Sequence, residues 1–125
     1  MKQAMAIALG GSFGALARYY LSKWVSDLSG AGFPWGTLTV NLIGSLVIGF
    51  CFGLFEKIII PGEVKAFITV GFLGAFTTFS TFALESVNLF REGESRLALL
   101  NLGVSMVSGL VLAVAGIMLA RFLLK

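Results

Sequence analysis

Four long apolar stretches, at 4–24, 37–55, 66–89 and 97–124, alternate with short polar clusters along the chain. The clusters are Ser26-Asp27-Leu28-Ser29-Gly30, then Glu56-Lys57 with Pro61-Gly62-Glu63, then Arg91-Glu92-Gly93-Glu94. A membrane-spanning helix needs about 20 mostly apolar residues. The second stretch has about 19 residues and no charge, and reaches about 28 Å at 1.5 Å per residue. The fourth has about 28, its first charge at Arg121, so it has length to tilt. The pattern predicts helices over about 4–24, 35–55, 64–89 and 96–124. Together they make one all-α integral membrane domain, 1–125, with four transmembrane helices.

The third helix is expected to break near its middle. Gly71 and Gly74 weaken a helix there, and the hydroxyls of Thr77, Thr78, Ser80 and Thr81 compete for backbone hydrogen bonds. Irregular backbone at membrane depth survives only against protein or a water-filled cavity. A continuous helix with its hydroxyls bonded back to the preceding turn is the alternative. Small residues mark close helix contacts: Gly10 and Gly14; Gly44, Gly49 and Gly53; and Ser105, Gly109 and Ala113 at four-residue spacing. Lys2 followed by an apolar run ending in Ala15-Leu16-Ala17 resembles a signal peptide. The Gly10/Gly14 pair favours a retained helix instead.

Composition sharpens this picture. Of the 125 residues, 58% are hydrophobic and 12% charged, against about 25% charged in soluble domains. The nine Lys and Arg residues, a net charge of +3, are scattered singly, so no basic patch tracks a nucleic acid. There is no histidine, and the one cysteine, Cys51, lies in an apolar run as a small hydrophobe. This removes His/Cys metal sites and histidine-based nucleophilic catalysis, and no other acid, base or nucleophile constellation suggests an enzyme.

The charges speak to orientation. With four spans, Lys2, Lys57, Lys65, Arg121 and Lys125 share one side; Lys23, Arg91 and Arg96, with Arg18 if it reaches the interface, share the other. The positive-inside rule needs an excess on one side, and here the two sides nearly balance. A chain without preferred orientation can insert both ways and form an antiparallel, dual-topology homodimer about an axis in the membrane plane.

Several residues can carry chemistry. Phe76, Phe79 and Phe82 recur every third position, near one helix face. Their positive ring edges can attract a small anion, although an aromatic packing stripe gives the same spacing. Asn41 offers two amide donors in an uncharged stretch, for a pore or for an interhelical bond. Ser105 and Ser108 add hydroxyl donors, with the same two readings. Arg18 and Glu85 are the charges nearest the membrane interior, and either can snorkel outward.

The run from Gly71-Phe72-Leu73-Gly74 through Thr77-Thr78-Phe79-Ser80-Thr81-Phe82, with Glu85 following, resembles the signature of Fluc (CrcB) fluoride channels. So do Trp35-Gly36-Thr37-Leu38-Thr39-Val40-Asn41-Leu42 and Gly10-Gly11 with Gly14-Ala15 and Arg18-Tyr19, in family order and over essentially the whole chain. The resemblance implies a dual-topology homodimer with two fluoride pores. It implies a structural sodium ion held by backbone carbonyls at the helix break, at positions matching Gly74 and Thr77. It matches the family's pore phenylalanines to Phe79 and Phe82 and its pore asparagine to Asn41. Thr81, Ser105 and Ser108 are the expected pore hydroxyls, and Arg18 and Glu85 are expected in structural or vestibule roles. Two departures stand out: Ala83 where many relatives have serine, and Ser108-Gly109 where relatives often read Gly-Ser.

The expected function is passive, fluoride-selective export across a bacterial or archaeal cell (inner) membrane, in which the chain is multi-pass. Its expected partners are fluoride, the lipid bilayer and a second copy. A proton-coupled multidrug exporter would want a carboxylate deep in the membrane, and Glu85, near an end, is the only candidate. A non-transporting membrane subunit, with glycine faces that only pack, is the third reading.

Overall fold

A computed structural model describes Met1–Lys125, and every regular element in it is helical. Helix α1 spans Lys2–Ser29, five residues beyond the expected end. Ser26 and Asp27 continue the helix, and Lys23 and Asp27, one turn apart, pair at 3.0 Å. It stops at Gly30, whose φ of 83° suits glycine. Helix α2, Trp35–Phe55, follows Pro34. The third rod begins as α3 (Gly62–Lys65), passes into a π-helical segment (Ala66–Leu73) and ends as α4 (Gly74–Phe76). After a gap it resumes as α5 (Phe79–Arg91). A turn with Gly93 at φ 81° leads to α6, Ser95–Leu123.

The break falls at Thr77 and Thr78, both extended, with φ/ψ of −88°/156° and −148°/114°. Two consecutive β-branched residues favour that backbone. Thr78 then acts as the N-cap of α5, its Oγ1 accepting from the Thr81 N–H at 3.2 Å. The alternative raised by the sequence is also present in part, since Thr77 Oγ1 donates back to the Leu73 carbonyl at 2.9 Å.

Two interfaces organise the rods. Helix α2 lies along α6, and α1 lies along the π segment and α4. Both are backbone-to-backbone approaches made possible by missing side chains. A methyl group at Gly49 would strike the Ala113 carbonyl, and one at Gly116 the Leu46 carbonyl. Across the other interface, methyl groups at Gly10 and Gly14 would strike the Phe67 and Phe72 carbonyls. Close approach of this kind gives helices in lipid the dispersion contact that replaces a hydrophobic driving force.

The outer surface is apolar: Leu99, Leu110, Val111, Met118 and Phe122 of α6 are all exposed. Three helical rods, Trp35–Phe55, Gly62–Arg91 and Ser95–Leu123, are long and apolar enough to cross a membrane. Helix α1 has the length but is diluted by Ser12, Arg18, Tyr19 and Tyr20, and does not join that set. Tyr19, Tyr20, Trp24 and Trp35 are exposed toward one end of the molecule, as in an interfacial aromatic belt. At the other end Arg121 grips Glu56 in a bidentate pair, both contacts 2.9 Å.

Candidate functional site

The break creates a site because it redirects hydrogen bonds. In a continuous helix the Thr78 N–H would serve the Gly74 carbonyl, and the Thr81 N–H the Thr77 carbonyl. Here Thr78 N–H donates to Asn41 Oδ1 at 2.7 Å, and Thr81 N–H to Thr78 Oγ1. The carbonyls of Gly74 and Thr77 thereby lose their helical donors. Arg18 does not snorkel outward: its Nε donates to the Ala75 carbonyl at 2.9 Å, placing a cation at the carbonyl end of the interrupted helix.

Asn41 closes the break from α2. Besides accepting from Thr78 N–H, its Nδ2 donates to the Thr78 carbonyl at 3.0 Å. The carboxamide pairs with both backbone groups of one residue, as a neighbouring strand would. Nδ2 carries two hydrogens, so one remains for another acceptor. The interhelical bond anticipated for Asn41 and a free donor therefore coexist.

A cavity of about 360 Å³ opens beside the break. Its wall includes Asn41, Ser45, Gly74, Thr77, Thr78, Phe79, Phe82 and Ser105. Six residues singled out in the sequence beyond the break's own threonines thus meet there: Asn41, Gly44, Gly74, Phe79, Phe82 and Ser105. Thr81 and Ser108 lie outside this wall. The Thr81 hydroxyl is turned to Thr78 Oγ1, from which it accepts at 3.0 Å. Ser108 is one turn beyond Ser105 and rotated by about 60° from it around α6.

The two phenylalanines sit differently. Their ring centroids are 5.9 Å apart with planes tilted by 54°. Phe82 is buried, whereas Phe79 is 77% exposed and projects from the protomer surface. Glu85 stands away from this cavity. It lines a second, smaller cleft of about 220 Å³ with Ser26, Phe33, Asn88 and Glu92, toward the belt end of α5. Its Oε1 is buried without a protein hydrogen-bond partner.

Sequence reasoning missed the buried pair Asn101 and Ser86, which join α6 to α5 through an Asn101 Nδ2–Ser86 Oγ hydrogen bond of 3.0 Å. The signal was there: Asn101 interrupts an apolar stretch just as Asn41 does.

Comparison with known proteins bears on this geometry. The model of the family described as "CrcB-like protein, Camphor Resistance (CrcB)" matches residues 5–117. A protein of Magnetococcus marinus named fluoride-specific ion channel FluC is 48% identical over 118 residues, 94% of this chain and 96% of the relative. The protein of the same name from Pelobacter propionicus is 44% identical, covering 100% of this chain and 98% of its own. That from Thermococcus kodakarensis is 46% identical, with coverages of 97% and 98%.

Proposed function

Because the chain belongs to the CrcB family, we propose that it is a fluoride-specific ion channel, a multi-pass membrane protein and not an enzyme. The relatives carry that function in their names and align over nearly their whole length. The observation that carries the reading in this chain is the cavity itself. It places amide and hydroxyl groups beside two aromatic rings and holds no ammonium, guanidinium or carboxylate. A small, strongly hydrated anion can exchange water for donors of this kind and still leave, as conduction requires. The donors in the wall are the second Nδ2 hydrogen of Asn41 and the hydroxyl of Ser105, with the ring edges of Phe79 and Phe82; the Thr81 hydroxyl, like that of Ser108, lies outside the wall. Ser108 contributes from outside the cavity wall.

Four spans, the first formed by α1, make the protomer, and two protomers of opposite orientation make the channel. Phe79 supports this pairing: an aromatic ring exposed from a cavity wall suits burial against a second copy. Near-equal Lys and Arg numbers on the two sides allow insertion both ways. Around the axis the carbonyls of Gly74 and Thr77 from both copies supply four oxygens for a sodium ion. The residues fit such an ion, since hard cations take carbonyl oxygens and these two have lost their helical donors. Bound there, sodium would neutralise converging carbonyl dipoles and hold the breaks together. Arg18 buttresses the break from α1, and Glu85 lines the mouth cleft.

In the cell the flow is passive. Fluoride enters as neutral HF, dissociates at the higher internal pH, and leaves down its gradient across the bacterial or archaeal cell membrane. Proton-coupled drug export is the weaker reading, because Glu85 lies outside the central cavity. Liposomes containing the purified protein alone separate the readings. Fluoride efflux that needs no proton gradient supports the channel; no fluoride efflux but proton-driven movement of a lipophilic cation supports a drug exporter; neither supports a non-transporting subunit.

A further inference from the structure

A groove of about 430 Å³ lies apart from the break and from the mouth cleft, between the first turns of α1 and the start of the third rod. Met5, Ala6 and Leu9 line it from α1, and Val64 and Phe67 from α3 and the π segment. With Lys2, the α1 residues keep the i, i+3, i+4, i+7 spacing of a single helix face. Met5, Leu9 and Val64 are exposed in the protomer. From Lys2 the groove runs along α1 to Leu9, about 10 Å at 1.5 Å per residue. No side-chain hydrogen bond joins α1 to the third rod until Arg18 reaches the Ala75 carbonyl.

Two charged side chains, and no other polar ones, stand in the wall: Lys2 from α1 and Glu63 from α3. They face one groove without pairing. The protein's ion pairs are Lys23–Asp27 and Glu56–Arg121. Lys65, the other cation of α3, is engaged elsewhere, its Nζ 5.2 Å from the centroid of the Phe55 ring. That contact also sets the start of the third rod level with the end of α2, at the membrane boundary. The groove thus has an apolar length and, at its outer end, one positive and one negative group with space between them.

We propose that this groove binds a zwitterionic phospholipid with a primary ammonium headgroup, a phosphatidylethanolamine. Its phosphate meets Lys2, its ammonium meets Glu63, and one acyl chain lies along Met5, Leu9, Val64 and Phe67. In lipid the apolar wall offers dispersion contact to any chain, so the headgroup sets the preference. A primary ammonium brings three N–H donors to the carboxylate; a choline headgroup brings none, and a net anionic headgroup is repelled by Glu63. A second copy does not fit the charges. In an antiparallel pair the same ends of the two copies lie on opposite sides of the membrane, so neither copy completes the other's Lys2 and Glu63. So seated, the lipid ties α1 to the third rod at the end that Arg18 does not reach. The site needs α1 and the third rod to cross the bilayer, and does not depend on fluoride conduction.

The test mixes the full-length protein in detergent with equal amounts of phosphatidylethanolamine, phosphatidylcholine and phosphatidylglycerol bearing the same acyl chains, and counts retained lipid by native mass spectrometry. The native protein should retain the ethanolamine lipid about two- to fivefold more than either competitor, the worth of one exposed charge pair. Glu63→Gln, a change of charge at nearly constant shape, should erase the difference between the ethanolamine and choline lipids. Lys2→Gln should lower the retention of both. Val64→Trp fills the groove and should lower lipid retention while leaving the oligomeric state unchanged. Equal retention of the ethanolamine and choline lipids by the native protein, a preference for phosphatidylglycerol, or an ethanolamine preference that survives Glu63→Gln overturns the site. A changed oligomeric state in Val64→Trp with lipid retention intact assigns the groove to a second copy and overturns it as well.

Discussion

Asn41 on α2 holds the extended backbone of Thr78 at both of its polar groups, with contacts of 2.7 and 3.0 Å. One side chain thereby closes the helix break, diverts the donor from the Gly74 carbonyl and takes a place in the cavity wall. Asn41→Ala leaves both Thr78 groups without partners, which should destabilise the protein by about 1–3 kcal/mol and abolish fluoride flux. Asn41→Asp keeps the acceptor for Thr78 N–H but loses the donors and adds a negative charge beside the proposed anion path. It should retain more stability than alanine and conduct no better. Thermal unfolding and efflux on the same preparations check this; an Asn41→Ala variant as stable as the native protein would remove the clamp.

Phe79 and Phe82 should respond differently to isoleucine, which keeps bulk but removes the positive ring edge. Phe79 is exposed in the protomer, so Phe79→Ile should leave protomer folding intact and depress fluoride flux steeply. Phe82 is buried, so Phe82→Ile should lower both flux and thermal stability. Methionine at either position keeps a polarizable group and should be milder. If both isoleucine variants assemble and conduct normally, the rings are packing alone.

A cation at the Gly74 and Thr77 carbonyls should show itself in stability as well as in flux. Exchanging sodium for a much larger monovalent cation should lower the unfolding temperature of the protein and its fluoride efflux together. Indifference of both properties to the cation would place no ion there.

Outside the membrane the Glu56–Arg121 pair gives a pH signature. The hydrogen bond from Arg121 holds the Glu56 carboxyl below its ordinary value of 4.5. A carboxyl depressed in the folded state binds fewer protons there than in the unfolded chain, so stability rises with pH through this window. The contribution is complete above the ordinary value and lost as pH falls through the depressed one. The pair is exposed, so the effect is small and screened by salt. Glu56→Gln should flatten the dependence of the unfolding temperature in this acidic range; an identical profile would show that the pair contributes nothing.

Much of this arrangement was legible in the chain because it depends on local signals. Thr77-Thr78, flanked by Gly74 and a run of hydroxyls, marked the break, and Gly10 with Gly14 marked a close helix contact. Residues at one helix's own spacing were harder to place against a neighbour. Ser105 and Ser108 look equivalent in sequence, yet the register of α6 against α2 puts only Ser105 in the cavity wall. The same applies to Phe79 and Phe82, whose opposite exposures depend on where α5 packs. The π-helical turns at Ala66–Leu73 left no trace, since nothing in local propensity separates a π turn from an α turn. The bond of Arg18 leaves no local signal in the sequence, because its acceptor, the Ala75 carbonyl, is 57 residues away.

The most direct measurement is the voltage at which current through the reconstituted protein reverses, in a planar bilayer with a tenfold fluoride gradient and equal chloride on both sides. A fluoride-selective channel should reverse near the fluoride equilibrium potential, about 59 mV in magnitude at 25 °C for a singly charged ion, and should not shift when a pH gradient is added. Reversal at zero, or a reversal that follows the pH gradient, would contradict the account.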